Sequence, residues 1–291
     1  MKLLVFGEIL WDIIGDEAKI GGAPFNFAAH AARLGADASV VSAVGEDDLG
    51  SEALRLAKSF GVNCDGVAVL PGVPTGRCLV TLKDGTPSYD LVRGVAYDCI
   101  PVPDLPLKAD AFYFGSLAMR DGRSERTLRT LLAEGEYGEV FFDVNIRQNY
   151  YTAEKIAYGI SHCTVFKVSR EEIGTLSLLG IEGDELQCCR KLRTMFGNLR
   201  TIIVTLDKDG ALAYDCRSDK AVYAPVQVCP VVSTVGAGDS FSACYLVNAL
   251  AGFDTPECLR RASLLAGYVV TQLGAIPDYP EELRANIIAK K

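Results

Sequence analysis

The sequence predicts an α/β fold in which helices wrap a parallel sheet. Short apolar runs typical of buried strands alternate with helical patterns along most of the 291 residues. Between residues 67 and 93 the rhythm changes, because two β-rich runs follow each other with no helix between them. These observations predict one large domain over residues 1–291 with a small antiparallel flap, or lid, formed mainly by about residues 67–95 and by part of 10–20.

Each element follows from hydrophobic periodicity and from the glycines that end helices. Gly35 and Gly61 end the first two helical runs, and the turn Lys83-Asp-Gly-Thr86 between the β-rich runs 76–82 and 88–93 signals a hairpin. In chain order the other predicted elements are strands at 3–6, 38–44, 111–114, 140–144, 164–168, 201–206 and 211–215, helices at 25–34, 48–60, 124–133, 153–161, 256–273 and 280–289, and further helices beginning at 169 and 183.

The charge balance restricts the partners. With 29 basic and 37 acidic residues the chain carries a net charge of −8, which argues against a surface for nucleic acid or anionic lipid. No apolar run is long enough to cross a bilayer, and the first residues lack the pattern of a signal peptide. We therefore expect a cytoplasmic protein that holds any anionic ligand in a local site.

The ten cysteines do not predict disulfides or a zinc site. They are scattered, none forms a C-x-x-C pair, and only His30 and His162 could join them as metal ligands. Reduced thiols packed as small apolar side chains are the favoured interpretation.

The chemistry is expected at Gly236-Ala-Gly-Asp239, directly before an apolar helical run. Gly236, Ala237 and Gly238 would present backbone N–H groups at a helix N-terminus, where the helix dipole favours an anion. A carboxylate in the same turn would repel phosphate. Asp239 is therefore better explained as a base that takes a proton from a group attacking that phosphate.

Other interpretations of this turn fit less well. A Walker A loop needs a Gly-Lys pair, which the chain lacks, and in the dinucleotide fingerprint Phe241 would occupy the third glycine position. A serine hydrolase built on Ser240 needs a histidine, and none follows His162. A helix start without catalytic function, with Asp239 as a dipole-favoured acid, remains the structural alternative.

A second constellation lies near the start of the chain. Gly21 and Gly22 would let a polar ligand approach the backbone, and Asp12 and Asn26 offer suitable partners for sugar hydroxyls. The same two polar residues could instead cap a turn and a helix, so from composition alone both interpretations stay open.

Together these motifs resemble the ribokinase-like, PfkB-type carbohydrate kinases, and among them most closely the fructokinases. The resemblance covers essentially the full length. Its motifs are Gly7-Glu-Ile-Leu-Trp-Asp12, Gly21-Gly-Ala-Pro-Phe-Asn-Phe-Ala28 with Arg33-Leu-Gly35, Val44-Gly-Glu-Asp-Asp-Leu-Gly50, Pro74-Thr-Gly76, Arg93-Gly94, Phe142-Asp-Val-Asn-Ile-Arg147 and Val235-Gly-Ala-Gly-Asp-Ser-Phe241.

The resemblance implies a three-layer αβα sandwich with a β-lid over the sugar, and it assigns roles to residues. Asp239 would be the catalytic base beside an anion hole at 236–238. Sugar-binding positions would be Asp12, Gly22, Asn26, Arg93 and Arg147, and nucleotide-binding positions Ser169, Glu172, Thr205, Gly210, Ser263 and Gly267.

The activity implied is transfer of the γ-phosphate of ATP to a hydroxyl of a small sugar, with fructose as the favoured substrate, Mg²⁺ as cofactor and Glu172 acting indirectly on the metal. Alternatives are a kinase of the same fold for ketodeoxygluconate, ribose or a nucleoside, or a sugar-binding sensor with weak phosphoryl transfer. A homodimer could form through an apolar lid face at Cys78, Val80 and Leu82.

Three positions depart from the family pattern, all on the nucleotide side. Ser233 replaces an acid often associated with a monovalent-cation site, so potassium activation is not predicted. Ser169 shortens the first partner of an Asn-x-x-Glu motif that keeps Glu172. Asp207 stands where a glycine commonly approaches the phosphates, and an acid there would be unfavourable unless it points away.

Overall fold

The structure is a computed structural model that describes residues 1–83, 86–226 and 229–288, with the side chains of 80–89 also left out of the description. Residues 84 and 85 of the predicted hairpin turn therefore lie outside the described residues. The strands are β1 Lys2–Phe6, β2 Leu10–Ile14, β3 Glu17–Gly21, β4 Asp37–Gly45, β5 Val67–Leu70, β6 Gly76–Lys83, β7 Thr86–Leu91, β8 Lys108–Gly115, β9 Glu136–Asp143, β10 Val165–Ser169, β11 Thr201–Thr205, β12 Ala211–Asp215 and β13 Lys220–Ala224. The helices are α1 Ala23–Arg33, α2 Asp48–Ser59, α3 Gly122–Glu134, α4 Ala153–His162, α5 Glu185–Met195, α6 Ala237–Leu250, α7 Thr255–Val269 and α8 Glu281–Ile287.

A nine-stranded sheet forms the middle layer, in the order β13-β12-β11-β10-β9-β8-β1-β4-β5. All neighbouring pairs are parallel except those made by β12, which runs antiparallel to β11 and β13. The carboxyl ends of β1, β9, β10 and β11 consequently meet along one edge. In open α/β sheets this is the edge where ligands bind.

Both faces of the sheet are buried because its strands are apolar at consecutive positions. In β1, Leu3 and Val5 pack on one side with residues of α1, α2, α6 and α7, whereas Leu4 and Phe6 pack on the other side with residues of α3, α4 and α5. This three-layer arrangement confirms the predicted α/β sandwich.

The lid is a separate four-stranded sheet in the order β3-β2-β6-β7. Its first two strands come from the predicted 10–20 segment, and the pair β6–β7 is the predicted antiparallel hairpin. Val67–Leu70, which the predicted lid range included, instead pair in parallel with β4 at the edge of the large sheet. Of the expected dimer face, Cys78 is buried within the subunit, and the side chains of residues 80 and 82 lie outside the description.

Two further elements differ from expectation. The helix predicted to begin at 169 is a 3₁₀ helix, Ile173–Leu179, because the preceding turn is occupied by side-chain bonds of Glu172 to the backbone. Strand β13 was not predicted; it is short, lies at the edge of the sheet and has mostly half-exposed or exposed residues, although four of its five residues are apolar or aromatic. Within the described part of the chain, no helix has the length and apolarity needed to span a membrane.

Candidate active site

The glycine turn begins helix α6, as the sequence predicts. Gly236 caps the helix with φ of 81°, and a Cβ at this position would lie 2.6 Å from the carbonyl oxygen of Ala275. The position therefore requires glycine for both conformation and space. Ala237, Gly238 and Asp239 form the first helical turn, where backbone N–H groups have no carbonyl four residues earlier in the helix. This geometry suits an anion.

The Asp239 side chain is buried at the start of this helix, with 9% of the residue exposed. Its Oδ2 accepts a 2.8 Å hydrogen bond from Nδ2 of Asn26 in α1. Burial raises the pKa of Asp239 to about 6, against the opposing effect of that hydrogen bond. A carboxyl group poised near neutral pH and held in one orientation can serve as a general base.

A buried ion pair, not predicted from the sequence, lies beside the turn. Nζ of Lys167 contacts both carboxylate oxygens of Asp143 at 3.0 and 3.1 Å, because the two residues are register partners on β10 and β9. Asp143 also accepts a 3.0 Å bond from Oγ of Ser242 in α6. A Cβ at Gly238 would lie 3.3 Å from Nζ, so the ammonium group sits directly at the anion turn.

Neighbouring carboxylates keep Lys167 in its charged form. Burial lowers the pKa of this lysine, but the neighbouring carboxylates of Asp143 and Glu172 outweigh burial and raise it above its ordinary value. The site therefore combines a fixed cation with a helix N-terminus at one place.

Asp12 reaches the same region from the lid. It lies on β2 opposite Cys78 of β6, and burial raises the pKa of its carboxyl group. The exposed side chain of Arg147, in the loop after β9, lowers the pKa of Asp12, of Asp239 and of the buried Glu8. All three acids therefore lie within electrostatic range of the same cation.

Asn26 and Gly22 lie together at the start of α1. Gly22 is the N-cap with φ of 108°, and a Cβ there would lie 2.4 Å from the carbonyl oxygen of Glu8. One turn beyond Asn26, the buried His30 donates from Nε2 to the carbonyl of Ala275 at 2.9 Å and accepts from the hydroxyl of Tyr279. Burial lowers the pKa of His30 to about 4, so the ring is neutral. Helix α1 thus supports both Asp239 and the segment packed on Gly236.

Arg93 has a different environment from the other predicted sugar-side residues. Its guanidinium lies 4.7 Å from the ring centroid of Tyr150, and Nε donates to the tyrosine hydroxyl at 3.4 Å. The same ring stacks on the buried Arg120, which pairs with Asp98 at 2.7 Å. The described contacts of Arg93 are therefore with this aromatic and ionic cluster at the lid side rather than with the three acids.

The predicted nucleotide-side residues all line one cavity of about 560 Å³. Its lining includes all six of them, namely Ser169, Glu172, Thr205, Gly210, Ser263 and Gly267. It also includes Lys167, Gly238 and Arg147 at the end nearest Asp239, and apolar groups such as Val226, Val231 and Val270. An apolar cavity with a cationic end suits a molecule with a flat ring and phosphates.

Two residues that follow β11 and line this cavity, Asp207 and Gly210, have positive φ. Gly210 has φ of 101°, and a Cβ there would lie 2.1 Å from the carbonyl oxygen of Ala224. Asp207 has φ of 52°, a conformation that favours glycine, and its side chain is exposed at the cavity. Asp207 therefore replaces the family's glycine at a position whose backbone conformation glycine adopts more easily.

Glu172 ties two loops of the site together. Its Oε1 accepts from the N–H of Ile146 at 2.7 Å, and its Oε2 accepts from the N–H of Ser169 at 2.9 Å. No group of three or more potential metal-binding histidine, cysteine or acidic side chains occurs among the described residues. Because both oxygens of Glu172 already accept backbone hydrogen bonds, this residue would act on a bound cation only through the loops that it positions.

Residues missed by the sequence interpretation carry a recognisable signal. Lys167 stands within the apolar run of β10, and Asp143 ends β9 directly after the apolar residues 140–142. Charged residues are rarely buried without a partner, so a charge within each of two buried strands indicates a pair. The ten cysteines are free thiols, seven of them buried and three half-buried.

The chain is similar to known carbohydrate kinases. The model of the pfkB family carbohydrate kinases matches residues 2–282. The chain is 27% identical over 322 residues to the probable fructokinase-5 of Arabidopsis thaliana, covering 99% of this chain and 97% of that protein. A sugar kinase of Pyrococcus horikoshii solved in complex with ATP is 25% identical, with a TM-score of 0.81 over 95% of this chain and 94% of that one. The fructokinase of Vibrio cholerae O395, solved with fructose, ADP and a calcium ion, has a TM-score of 0.81 at 20% identity, over 99% of both chains.

The fold and the site thus define a phosphotransferase that acts on a sugar. The chain belongs to the PfkB family of carbohydrate kinases.

Proposed function

We propose that the protein transfers the γ-phosphate of ATP to a hydroxyl group of fructose or a closely similar neutral sugar. The observation that carries this proposal is the position of Asp239. Asp239 has a buried carboxyl group with a pKa raised to about 6, and it directly follows Gly238 in the sequence. The ammonium group of Lys167 lies against Gly238. A base and an anion site in direct succession are what phosphoryl transfer to an alcohol requires.

On the acceptor side, Asp239 would orient one sugar hydroxyl and take its proton as the oxygen attacks phosphorus. Asn26 would hold the carboxylate through the 2.8 Å bond, and Asp12 and Gly22 would bind the rest of the sugar. Arg147, exposed beside these acids, would face the phosphate being transferred. Arg93 would act from the lid side.

On the nucleotide side, the cavity bounded by Thr205, Gly210, Ser263 and Gly267 would hold ATP with its phosphates toward the start of α6. Backbone N–H groups at 236–238 would stabilise negative charge on the phosphoryl oxygens, a contribution of about 3 kcal/mol per donor in comparable sites. Lys167 would add a fixed charge at the same place. Mg²⁺, when bound with ATP, would neutralise phosphate charge, and Glu172 would keep the surrounding loops in position.

The acid-rich acceptor side favours a neutral sugar over a sugar acid. A substrate carboxylate would have to lie among Glu8, Asp12 and Asp239, where Arg147 is a cation that lowers the pKa of all three acids. Like charges at close range in a buried site are strongly unfavourable. These three acids do not distinguish fructose from ribose or a nucleoside, since those substrates are also neutral.

The test is ADP release in a coupled assay with fructose, ribose, ketodeoxygluconate and a nucleoside. Fructose should give the highest kcat/KM with the wild type. Asp239→Asn should reduce kcat by ~10²–10⁴-fold, the contribution of a positioned general base. Asp65→Asn, the same chemical change at an exposed aspartate before β5, is the control and should leave turnover unchanged.

Two results would contradict the proposal. One is the absence of sugar-dependent ADP release by the wild type, and the other is undiminished turnover by Asp239→Asn. Calorimetric binding of a sugar without measurable affinity for Mg·ATP would instead support a sugar sensor, the alternative suggested by the acid at Asp207.

A further inference from the structure

Glu8 is a buried acid to which the proposed mechanism gives no role. It lies in the connection of residues 7–9 between β1 of the large sheet and β2 of the lid, at the carboxyl end of a central strand. Only 3% of the residue is exposed. Its Oε1 accepts a 3.2 Å bond from the N–H of Ala23, the first residue of α1. Its Oε2 is buried and has no hydrogen-bond partner among the described residues.

The surroundings of Glu8 are those of the acceptor site. A Cβ at Gly22 would lie 3.3 Å from Cγ of Glu8, so the side chain packs directly on the glycine pair. Asn26 follows one helical turn later and uses Nδ2 on Asp239. The other amide atom, Oδ1 of Asn26, is also buried without a partner in the described chain. Two unused hydrogen-bond acceptors thus flank the helix start that holds the proposed base.

Buried polar atoms are almost always hydrogen-bonded, and an unpaired one is destabilising. An unsatisfied carboxylate oxygen next to a ligand site is therefore best explained by a bond that forms with the ligand. The electrostatics agree, because the pKa of Glu8 is raised to about 7, mainly by burial, and both Arg147, which lowers this pKa, and Asp239, which raises it, contribute to that value. Glu8 consequently shares the electrostatic field of the proposed base.

We propose that Glu8 binds the sugar, with Oε2 accepting a hydrogen bond from a hydroxyl group other than the one that is phosphorylated. This inference rests on the proposed sugar kinase function and refines its substrate class. The acceptor must carry at least two hydroxyl groups, one for Asp239 and one for Glu8. Because both protein groups are hydrogen-bond acceptors when ionised, the ligand must be the donor at both places.

A purely structural role for Glu8 makes a different prediction. If the residue only caps α1 through Oε1 and the N–H of Ala23, glutamine can replace it, since its amide oxygen can accept the same bond. Glutamine would, however, present an NH₂ donor where Oε2 now stands. Glu8→Gln therefore separates support of the helix from recognition of a hydroxyl.

The experiment compares wild type, Glu8→Gln and the control Glu134→Gln at pH 8. Glu134 is exposed at the end of α3, on the opposite edge of the sheet. Binding of fructose and of its monodeoxy analogues is measured by calorimetry, and KM for both substrates by ADP release. We expect Glu8→Gln to weaken fructose binding by ~10–100-fold, as for the loss of a charged hydrogen bond. The KM for ATP and the melting temperature should stay within twofold and a few degrees of wild type.

The deoxy analogues identify the hydroxyl that Glu8 binds. For one analogue the wild type should lose the same factor in affinity that Glu8→Gln loses for fructose, and the variant should lose almost nothing further. Unchanged fructose affinity in Glu8→Gln, or equal losses for every analogue in both proteins, would overturn the inference while leaving the kinase function intact. If the wild type binds fructose but does not phosphorylate it, the kinase function fails and the binding data still decide the role of Glu8. A wild type that binds no sugar overturns both.

Discussion

Nδ2 of Asn26 donates a 2.8 Å hydrogen bond to Oδ2 of Asp239 across 213 residues of sequence. The bond joins the first turn of α1 to the first turn of α6 and fixes the direction of the proposed base. It also favours the ionised carboxylate, whereas burial disfavours it. This contact therefore orients Asp239 and partly offsets the rise in its pKa that burial causes.

The first prediction concerns pH. Asp239 can accept a proton only when ionised, so kcat/KM for the sugar should fall below a pH of about 6, the value to which burial raises its pKa. Removing the hydrogen bond with Asn26→Ala should raise this pKa further and move the acid limb to higher pH, with a lower plateau. The measurement is kcat/KM from pH 5 to 9 for both proteins. An acid limb that is identical in the two would show that Asn26 does not tune the base.

The second prediction concerns stability. Below about pH 4 the Asp239 carboxyl is protonated in the folded and the unfolded chain, and its burial then carries no charge. Above about pH 6 it is ionised in both, and the folded state bears a net cost of roughly 3 kcal/mol for holding the charged form. Asp239→Asn should therefore raise the free energy of unfolding at pH 8 by up to this amount and have little effect at pH 4. Denaturant unfolding without ligands measures this, and an equal effect at both pH values would contradict it.

The third prediction concerns Lys167 and Asp143. Lys167→Met leaves a buried carboxylate without its cation and should cost about 3–5 kcal/mol of stability. The double variant Lys167→Met, Asp143→Asn removes both charges and should recover much of this loss. Its activity should remain at least ~10-fold below wild type, because the charge at the anion turn is gone. Recovery of stability and activity together would mean that Lys167 is only structural.

The fourth prediction concerns the glycine that begins α6. Gly236→Ala combines a left-handed φ with a contact of 2.6 Å to the Ala275 carbonyl oxygen. Gly180→Ala is the matched control, since Gly180 has φ of 73° but no atom within 4 Å of a new Cβ. The control should cost about 1–2 kcal/mol for conformation alone, and Gly236→Ala about 1–3 kcal/mol more. Only Gly236→Ala should also lower kcat. Equal effects in unfolding and turnover would show that Ala275 yields without consequence.

Hydrophobic periodicity predicted the central strands, which are buried on both faces, and most helices, which bury one apolar face. It failed where contacts between distant segments determine the local structure. Val67–Leu70 pair with β4 rather than with the lid, a choice that depends on the partner strand and not on local sequence. The 3₁₀ segment after Ser169 likewise depends on Glu172, whose carboxylate bonds a loop 26 residues away.

The site shows the same division. The motif around Asp239 predicted a base beside an anion turn, and the resemblance supplied the nucleotide-side residues that now line one cavity. The ion pair of Lys167 and Asp143 depends on strand register over 24 residues. The unpaired oxygen of Glu8 depends on how three segments pack. The sequence alone does not reveal which side chains come into contact, nor which buried polar atoms remain without a hydrogen-bond partner.

The connection of residues 7–9 has a mechanical consequence. Asp12 belongs to the four-stranded sheet and Asp239 to a helix on the nine-stranded one, while Glu8 stands in the short hinge-like link that joins the two sheets. A sugar bonded to all three residues would connect the lid sheet to the nine-stranded sheet. Filling the acceptor site would then stiffen the molecule before any phosphate moves, so protection of lid amides from hydrogen exchange should increase with sugar alone.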